Sequence, residues 1–270
     1  MRILLTNDDG INAQGLAALE AIASSLSRDV WICAPETEQS GASRALTLAE
    51  PLRVRRLGER RFAVRGTPTD CVMLAIQELV EGAKPDLVLS GVNRGLNAAE
   101  DVSLSGTVAG AIEGMAMGVP SIALSQMMGD YQGDRRSDFE PAERFAPDLI
   151  DRLVRAGWPA GVILNINFPL GPASRIESVE VTKQGFRDVR TRFAERRTDL
   201  RGREYYWLGF RNIPSRPDHG TDLRAAYDGR ISVTPLHIDL THVPTVERLK
   251  SVIDGPAAEE EPIVSRATRT

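Results

Sequence analysis

The chain has 270 residues, which at about 150 residues per domain predicts one large domain or one and a half. Hydrophobic residues make up 42% and charged residues 26%, which argues against disorder, collagen-like sequence and a bundle of membrane helices. The net charge of −4 argues against a protein whose whole surface binds nucleic acid. Two cysteines and three histidines are too few for a disulfide framework, a Cys/His zinc site or an iron–sulfur cluster, so we expect chemistry based on oxygen ligands.

The apolar run Ile3–Leu5 that precedes Asp8 is too short for a secretory signal, whose apolar core needs roughly 7–15 residues. No run of about 18 apolar residues occurs either, so the sequence predicts no membrane-spanning segment. We therefore expect a cytoplasmic protein with no membrane partner.

Short apolar runs alternate with amphipathic segments through the first 168 residues. The predicted elements, in chain order, are a strand at Ile3–Thr6, a helix at Ala13–Leu26, a strand at Val30–Ala34, a helix at Asp70–Val80, a strand at Asp86–Ser90, a helix at Ser105–Met117, a strand at Ser121–Ser125, a helix at Phe139–Ala156 and a strand at Gly161–Phe168. This alternation predicts a Rossmann-like α/β fold, with a mostly parallel sheet covered by helices on both faces.

Two segments depart from the alternation. The hydrophobic period changes to two at about residues 45–65, which predicts a β-hairpin insertion, and residues 176–211 are strand-like and rich in arginine, as expected of an extended arm. Ile231–Leu236 is a predicted strand that returns either to the main sheet or to a partner's sheet. The expected organisation is a catalytic core at residues 1–172, a β-rich arm and C-terminal segment at 173–254, and a disordered tail at 255–270.

An acidic pair, Asp8 and Asp9, follows the first predicted strand. Ligands of open α/β sheets bind at the carboxyl ends of the strands, and two adjacent carboxylates there repel each other unless a cation offsets their charge. The alternative is an Asp-Gly turn with a helix cap, since aspartate favours both. A turn explains one aspartate better than it explains two, so we favour a metal site.

Two further polar segments are predicted at the same edge of the sheet. The segment Ser90–Asn97 combines glycines with Asn93, Arg94 and Asn97, and by itself it is also consistent with an ordinary polar loop. Ser105-Gly106-Thr107 opens a predicted helix, whose free N–H groups and positive partial charge suit an anion such as phosphate, although Ser105 can equally be a simple cap. A Walker loop, a Gly-x-Gly-x-x-Gly motif after the first strand and a Gly-x-Ser-x-Gly elbow are all absent from the sequence.

Several spaced motifs together resemble the SurE family of bacterial survival proteins and nucleoside monophosphate phosphatases. They are Thr6–Gly10, Ala34-Pro35 with Gln39-Ser40-Gly41, Gly66–Val72, Ser90–Asn97, Ser105-Gly106-Thr107, Asn165–Pro169, and Thr221-Asp222 with Ile231–Leu236. The resemblance implies one divalent cation per subunit held by Asp8, Asp9, Ser40 and Asn93. It also implies hydrolysis of nucleoside 5′- and 3′-monophosphates, some action on short polyphosphate, and a dimer or tetramer built through exchanged C-terminal arms.

The implied ligands are hard oxygen donors, which suit Mg²⁺ or Mn²⁺, with Ca²⁺ also possible. We expect attack of a metal-activated water on phosphorus, with Asp8 or Asp9 as a base. The phosphate oxygens are then expected to be held by Asn97, Ser105, Gly106 and Thr107. Leu104 stands where the family pattern leads us to expect an aromatic residue, which puts substrate preference in question rather than the reaction.

Two alternatives remain open. One is a phosphatase with Asp8 as a covalent nucleophile, although the Asp-x-Asp spacing of haloacid-dehalogenase-like enzymes is absent. The other is a non-catalytic nucleotide- or RNA-binding module that uses the arginine-rich arm. The acidic pair disfavours the second, because a pure anion binder has no use for carboxylates beside a phosphate; we expect no stable nucleic-acid partner.

Overall fold

The computed structural model describes residues 1–129, 139–211, 213 and 215–253. Within these, the strands are β1 (Arg2–Thr6), β2 (Asp29–Pro35), β3 (Val54–Gly58), β4 (Arg61–Val64), β5 (Leu87–Arg94), β6 (Ser121–Gln126), β7 (Val162–Phe168), β8 (Val179–Val181), β9 (Arg192–Thr198), β10 (Glu204–Phe210) and β11 (Ile231–His237). The α-helices are α1 (Gln14–Leu26), α2 (Pro68–Leu74), α3 (Gly106–Ala116), α4 (Glu140–Ala156), α5 (Asp222–Tyr227) and α6 (Val243–Ile253).

Nine strands form one sheet in the order β3-β4-β2-β1-β5-β6-β7-β11-β8. The pairs from β4 through β7 are all parallel, whereas β3 runs antiparallel to β4, and β11 runs antiparallel to β7. The mostly parallel sheet expected from the alternating pattern is therefore confirmed. The β11 strand pairs with β7 of its own chain, which is one of the two pairings that the sequence left open.

Helices cover both faces of the sheet. Ile3 and Leu5 of β1 belong to the core cluster that includes α1 and α4, whereas Leu4 belongs to the cluster on the face of α2. This split follows from the period of two along a strand, because successive side chains point to opposite faces. Because both faces of the sheet are buried, the sequences of the central strands are nearly continuous runs of apolar residues.

Three boundaries differ from the predicted ones. The α2 helix begins at Pro68, because Thr67 and Asp70 form a capping box, and it continues as a π-helical turn at Ala75–Leu79. The β5 strand runs past Ser90 to Arg94, because an irregularity in its pairing with β6 lets the strand continue, so Asn93 lies in a strand. The predicted hairpin is confined to β3 and β4, where it forms one edge of the main sheet.

The arginine-rich segment contains two separate structures. The β8 strand pairs with β11 in the main sheet, and β9 with β10 forms a two-stranded antiparallel hairpin of its own. Residues Met1–His237 form one compact unit, and a second unit, from Ile238, contains α6. The predicted tail at 255–270 lies outside the described residues. In the part of the chain that the structure describes, no helix is long and apolar enough to cross a membrane.

Candidate functional site

The candidate site lies where the order of the central strands reverses. From β1 the chain moves to β2 on one side and later returns to β5 on the other side of β1. The loops that leave the carboxyl ends of β1 and β5 therefore diverge and leave a crevice, which is the usual ligand site of an open α/β sheet. Asp8 and Asp9 follow β1 at this edge, and Asn93 lies near the end of β5.

A cleft of about 510 Å³ opens at this edge. Six of the predicted site residues line it: Asp8, Asp9, Ser40, Asn93, Asn97 and Ser105. They come from four separate segments of the chain, after β1, after β2, from β5 onward and at the start of α3. The structure thus brings together residues that the sequence places up to 97 positions apart (from 8 to 105).

Asp8 is almost fully buried, with 5% of its surface exposed. The hydroxyl of Thr107 donates a 2.5 Å hydrogen bond to Oδ1 of Asp8. Burial raises the pKa of the Asp8 carboxyl to about 6, against the hydrogen bond from Thr107 and with a further contribution from the charge of Asp9. Without a cation beside it, Asp8 is therefore a carboxylate held in an environment that disfavours its negative charge.

Asp9 is half-buried and shares this environment. The backbone N–H of Arg94 donates to Oδ2 of Asp9 at 3.3 Å. Burial raises the pKa of Asp9, and the nearby charge of Glu38 raises it further. Among the described residues, neither Asp8 nor Asp9 forms an ion pair with a basic side chain within 4.0 Å. The charge of Arg94 lowers the pKa of Asp9 from a longer distance, but burial outweighs it.

Ser40 and Asn93 are each oriented by one hydrogen bond. The hydroxyl of Ser40 donates to Oε1 of Glu38 at 2.7 Å, and the amide nitrogen of Asn93 donates to the carbonyl of Gly95 at 2.8 Å. A hydroxyl oxygen retains acceptor capacity while its proton is donated, and the bond from Nδ2 leaves the amide oxygen of Asn93 as an acceptor.

The four predicted phosphate ligands differ in what they have available. Ser105 caps α3 by accepting from the backbone N–H of Val108, which leaves its hydroxyl proton to donate. Asn97 is fixed on the sheet, because its backbone N–H donates to Asn167 and its side chain donates to Ser125. The hydroxyl of Thr107 is already donated to Asp8, and the backbone N–H of Thr107 also acts as a donor to that carboxyl, so both donors of Thr107 face Asp8.

Position 106 requires glycine because the start of α3 lies very close to Asp8. A Cβ at this position would lie 2.7 Å from the Cβ of Asp8. Gly110, one turn later, is in the same situation, because an added Cβ would lie 2.9 Å from the hydroxyl oxygen of Ser90. The glycines allow the first turns of α3 to lie directly against the end of β1 and the middle of β5.

The oxygen donors fit a hard divalent cation better than zinc. Two carboxylates, a hydroxyl and an amide oxygen line one cleft, and the negative charge of the carboxylates is not balanced by an ion pair among the described residues. The described residues contain no group of three or more His, Cys, Asp or Glu side chains placed to hold a metal ion. A cation in this cleft would therefore rely also on the hydroxyl and amide oxygens and on water.

Sequence reasoning missed three charged or aromatic residues of the cleft: Glu38, Asp101 and Phe210. Glu38 had a signal, since it follows β2 at the same edge as Ser40. Asp101 also had one, because it lies between Asn97 and Ser105. Phe210 had none, because it belongs to the hairpin strand β10, and its approach depends on tertiary structure.

Comparisons with known proteins agree with this architecture. The family model described as "Survival protein SurE" matches residues 3–191. The chain is 71% identical over 255 residues to the 5′-nucleotidase SurE of Phenylobacterium zucineum, covering 94% of this chain and 98% of that protein, and 68% identical to its Caulobacter vibrioides namesake, covering 94% and 97%. The crystal structure of the SurE protein from Aquifex aeolicus matches with a TM-score of 0.79 at 37% identity, covering 94% of this chain and all of that one. The chain therefore belongs to the SurE family.

Proposed function

We propose that this protein is a metal-dependent phosphomonoesterase that hydrolyses nucleoside 5′-monophosphates, and also 3′-monophosphates and short polyphosphate. The observation that carries the proposal is the buried Asp8–Asp9 pair, which shares one cleft with Ser40, Asn93 and the start of α3. The relatives named 5′-nucleotidase support the substrate class.

Asp8, Asp9, Ser40 and Asn93 would hold one cation per subunit, Mg²⁺ or Mn²⁺, with Ca²⁺ as a further candidate. When bound, the cation supplies positive charge beside the phosphate and lowers the pKa of a water molecule. The chain's own part is to fix the donors. Thr107 holds Asp8, Glu38 orients Ser40, and the backbone of Arg94 holds Asp9.

The start of α3 binds the phosphate in this proposal. Ser105 presents a hydroxyl, and the backbone N–H of Gly106 lies in the first turn, where the helix dipole favours an anion; Thr107 contributes by holding Asp8 beside it. Asn97 stands at the cleft wall, fixed from two sides by Asn167 and Ser125. Asp8 or Asp9 accepts the proton of the attacking water.

The nucleoside would lie along the less polar part of the cleft. This part is lined by Leu96, Leu104 and Phe210, in the same cleft as the acidic pair. Apolar side chains tolerate different bases because they offer contact without hydrogen-bond demands, so we expect modest base selectivity.

The test is release of phosphate from a panel of 5′- and 3′-nucleotides and polyphosphate, with Mg²⁺ or Mn²⁺ and with chelator. If the folded, metal-loaded protein hydrolyses none of them, the proposal fails and a nucleotide-binding module replaces it. Rapid quench with ³²P-labelled substrate tests the covalent alternative, because an acid-stable label on the protein would contradict direct attack by water.

We also propose self-association into a dimer or tetramer, through the β9–β10 hairpin and the C-terminal segment. Trp207 is 59% exposed, Leu208 82% and Phe210 60%. Large apolar side chains this exposed on one strand are typical of an interaction surface.

A further inference from the structure

Asp222 is a fully buried carboxylate that lies outside the cleft and connects three separate segments. It is 0% exposed. Its Oδ1 accepts from the backbone N–H of Gly185 at 2.9 Å and from that of Leu223 at 2.7 Å, and its Oδ2 accepts from the backbone N–H of Ala99 at 2.9 Å. Burial raises the pKa of this carboxyl, and the three N–H donors oppose the shift. Burying a charged carboxylate costs free energy unless it accepts hydrogen bonds, and a buried N–H that lost this acceptor would in turn be left unpaired.

Ala99 begins a 3₁₀-helical turn, Ala99–Leu104, which leads directly into the Ser105 cap of α3. Asp101 and Leu104 of this turn line the candidate cleft, as does Ser105. Ala99 also has a φ of +56°, a conformation that a residue with a side chain rarely adopts without support. The hydrogen bond from its N–H to Asp222 is one such support.

A second residue holds the same turn from the segment next to Gly185. Arg187 forms ion pairs with Asp101 at 2.7 Å and with Glu100 at 3.4 Å, and its backbone N–H donates to Glu100 at 3.1 Å. The Arg187 side chain is only 12% exposed, so solvent weakens these pairs less than it weakens surface ones. Asp222 and Arg187 therefore restrain the turn at its first residue and at its middle.

We infer that Asp222 is a positioning residue for substrate binding: with Arg187 it fixes the turn Ala99–Leu104, and through it the cleft wall that carries Asp101, Leu104 and Ser105. The inference rests on the proposed nucleotidase activity. Asp8, Asp9, Ser40 and Asn93 lie on other segments, so the effect of Asp222 falls on the nucleotide rather than on the cation.

Asp222→Asn tests this with little change in volume. In the orientation that keeps more hydrogen bonds, the amide oxygen retains Gly185 and Leu223, and the amide NH₂ faces the N–H of Ala99, so the bond to the turn is lost. We expect KM for a 5′-nucleotide to rise about tenfold, since small displacements of binding groups have effects of this order, with kcat changed less than about threefold and the half-saturating metal concentration unchanged. Arg187→Gln should shift KM in the same direction, and Arg187→Lys should restore part of it.

Asp29→Asn, in a strand that contributes no residue to the turn, is the control for general loss of stability. A merely structural role of Asp222 lowers the folded fraction but leaves KM at the wild-type value. An unchanged KM in both Asp222→Asn and Arg187→Gln, measured well below the melting temperature, would overturn the inference.

Hydrogen exchange separates this inference from the proposed function, because it requires no activity. We expect faster exchange at the amides of 99–104 in Asp222→Asn, with residues 8–16 unaffected. If wild-type protein releases no phosphate, the proposed function fails, and the exchange result alone decides whether Asp222 holds the turn. Unchanged exchange at 99–104 in Asp222→Asn would contradict the inference.

Discussion

Thr107 donates its hydroxyl proton to Oδ1 of Asp8 at 2.5 Å, and both side chains are buried. This single contact joins the start of α3 to the end of β1, and so joins the predicted anion-binding and metal-binding halves of the cleft. The carboxylate is held in one orientation because Thr107 lies on a helix that the glycines bring against the sheet.

Replacing Thr107 with valine should impair the site while preserving its volume. The buried carboxylate loses a donor, and a hydrogen bond to a charged group contributes about 1.5–3 kcal/mol, so we expect roughly a ten- to hundredfold loss in kcat/KM. Thr107→Ser keeps the hydroxyl and is the matched control. Steady-state kinetics at saturating metal compares the two, and equal activity of the valine variant and wild type would show that the contact is dispensable.

Gly106→Ala should displace Asp8. A Cβ at this position would lie 2.7 Å from the Cβ of Asp8 and 2.9 Å from its Oδ2, so either the carboxylate or the helix must shift. We expect weaker metal binding, measured by calorimetry, and loss of most activity. Gly58→Ala is the control, since the nearest atom to its added Cβ is 3.7 Å away. A Gly106→Ala protein with wild-type metal affinity would contradict this packing.

Asp29→Asn should destabilise the protein in a pH-dependent way. Burial alone would raise the pKa of Asp29, but the hydrogen bonds from Arg2 and Trp31 and the charges of Arg2 and Arg60 lower it below 3.8. A lowered folded-state pKa gives stability that is present above about pH 4 and lost as the pH falls through the folded-state value.

Urea unfolding at pH 7 should therefore show Asp29→Asn less stable by about 1 kcal/mol, a modest value because the carboxyl is 35% exposed. The difference should shrink as the pH falls below about 4, the ordinary pKa of an aspartate, and through the lower folded-state value. A difference that stays constant across the acidic range would show that the charge of Asp29 contributes nothing.

Trp207→Asp should weaken self-association without lowering the stability of the core. Trp207 and Leu208 are exposed on the hairpin, so a charge there costs little in the isolated subunit and much in an apolar interface. Light scattering after size exclusion should show a smaller assembly. Glu195→Gln, on the neighbouring strand β9, is a polar control. An unchanged mass for Trp207→Asp would place the interface elsewhere.

The central sheet could be predicted because buried parallel strands and amphipathic helices leave a strong local pattern. The acidic pair could also be predicted, since Asp8 and Asp9 follow a strand at an edge where ligands bind. The extension of β5 to Asn93 could not, because its pairing with Ser125 of β6 depends on an irregularity in the register. The hydrogen bond from Thr107 to Asp8 spans 99 positions of the chain, and the one from Ala99 to Asp222 spans 123. No local sequence pattern predicts either contact.

The most direct test of the account is phosphate release from a nucleoside 5′-monophosphate by chelator-treated protein to which Mn²⁺ or Mg²⁺ is returned, for wild type, Asp8→Asn and Asn93→Ala. We predict no release without metal, recovery by wild type when metal is returned, and strongly reduced release by both variants although they remain folded by circular dichroism. Full activity of the chelated wild type, or of both variants, would contradict it.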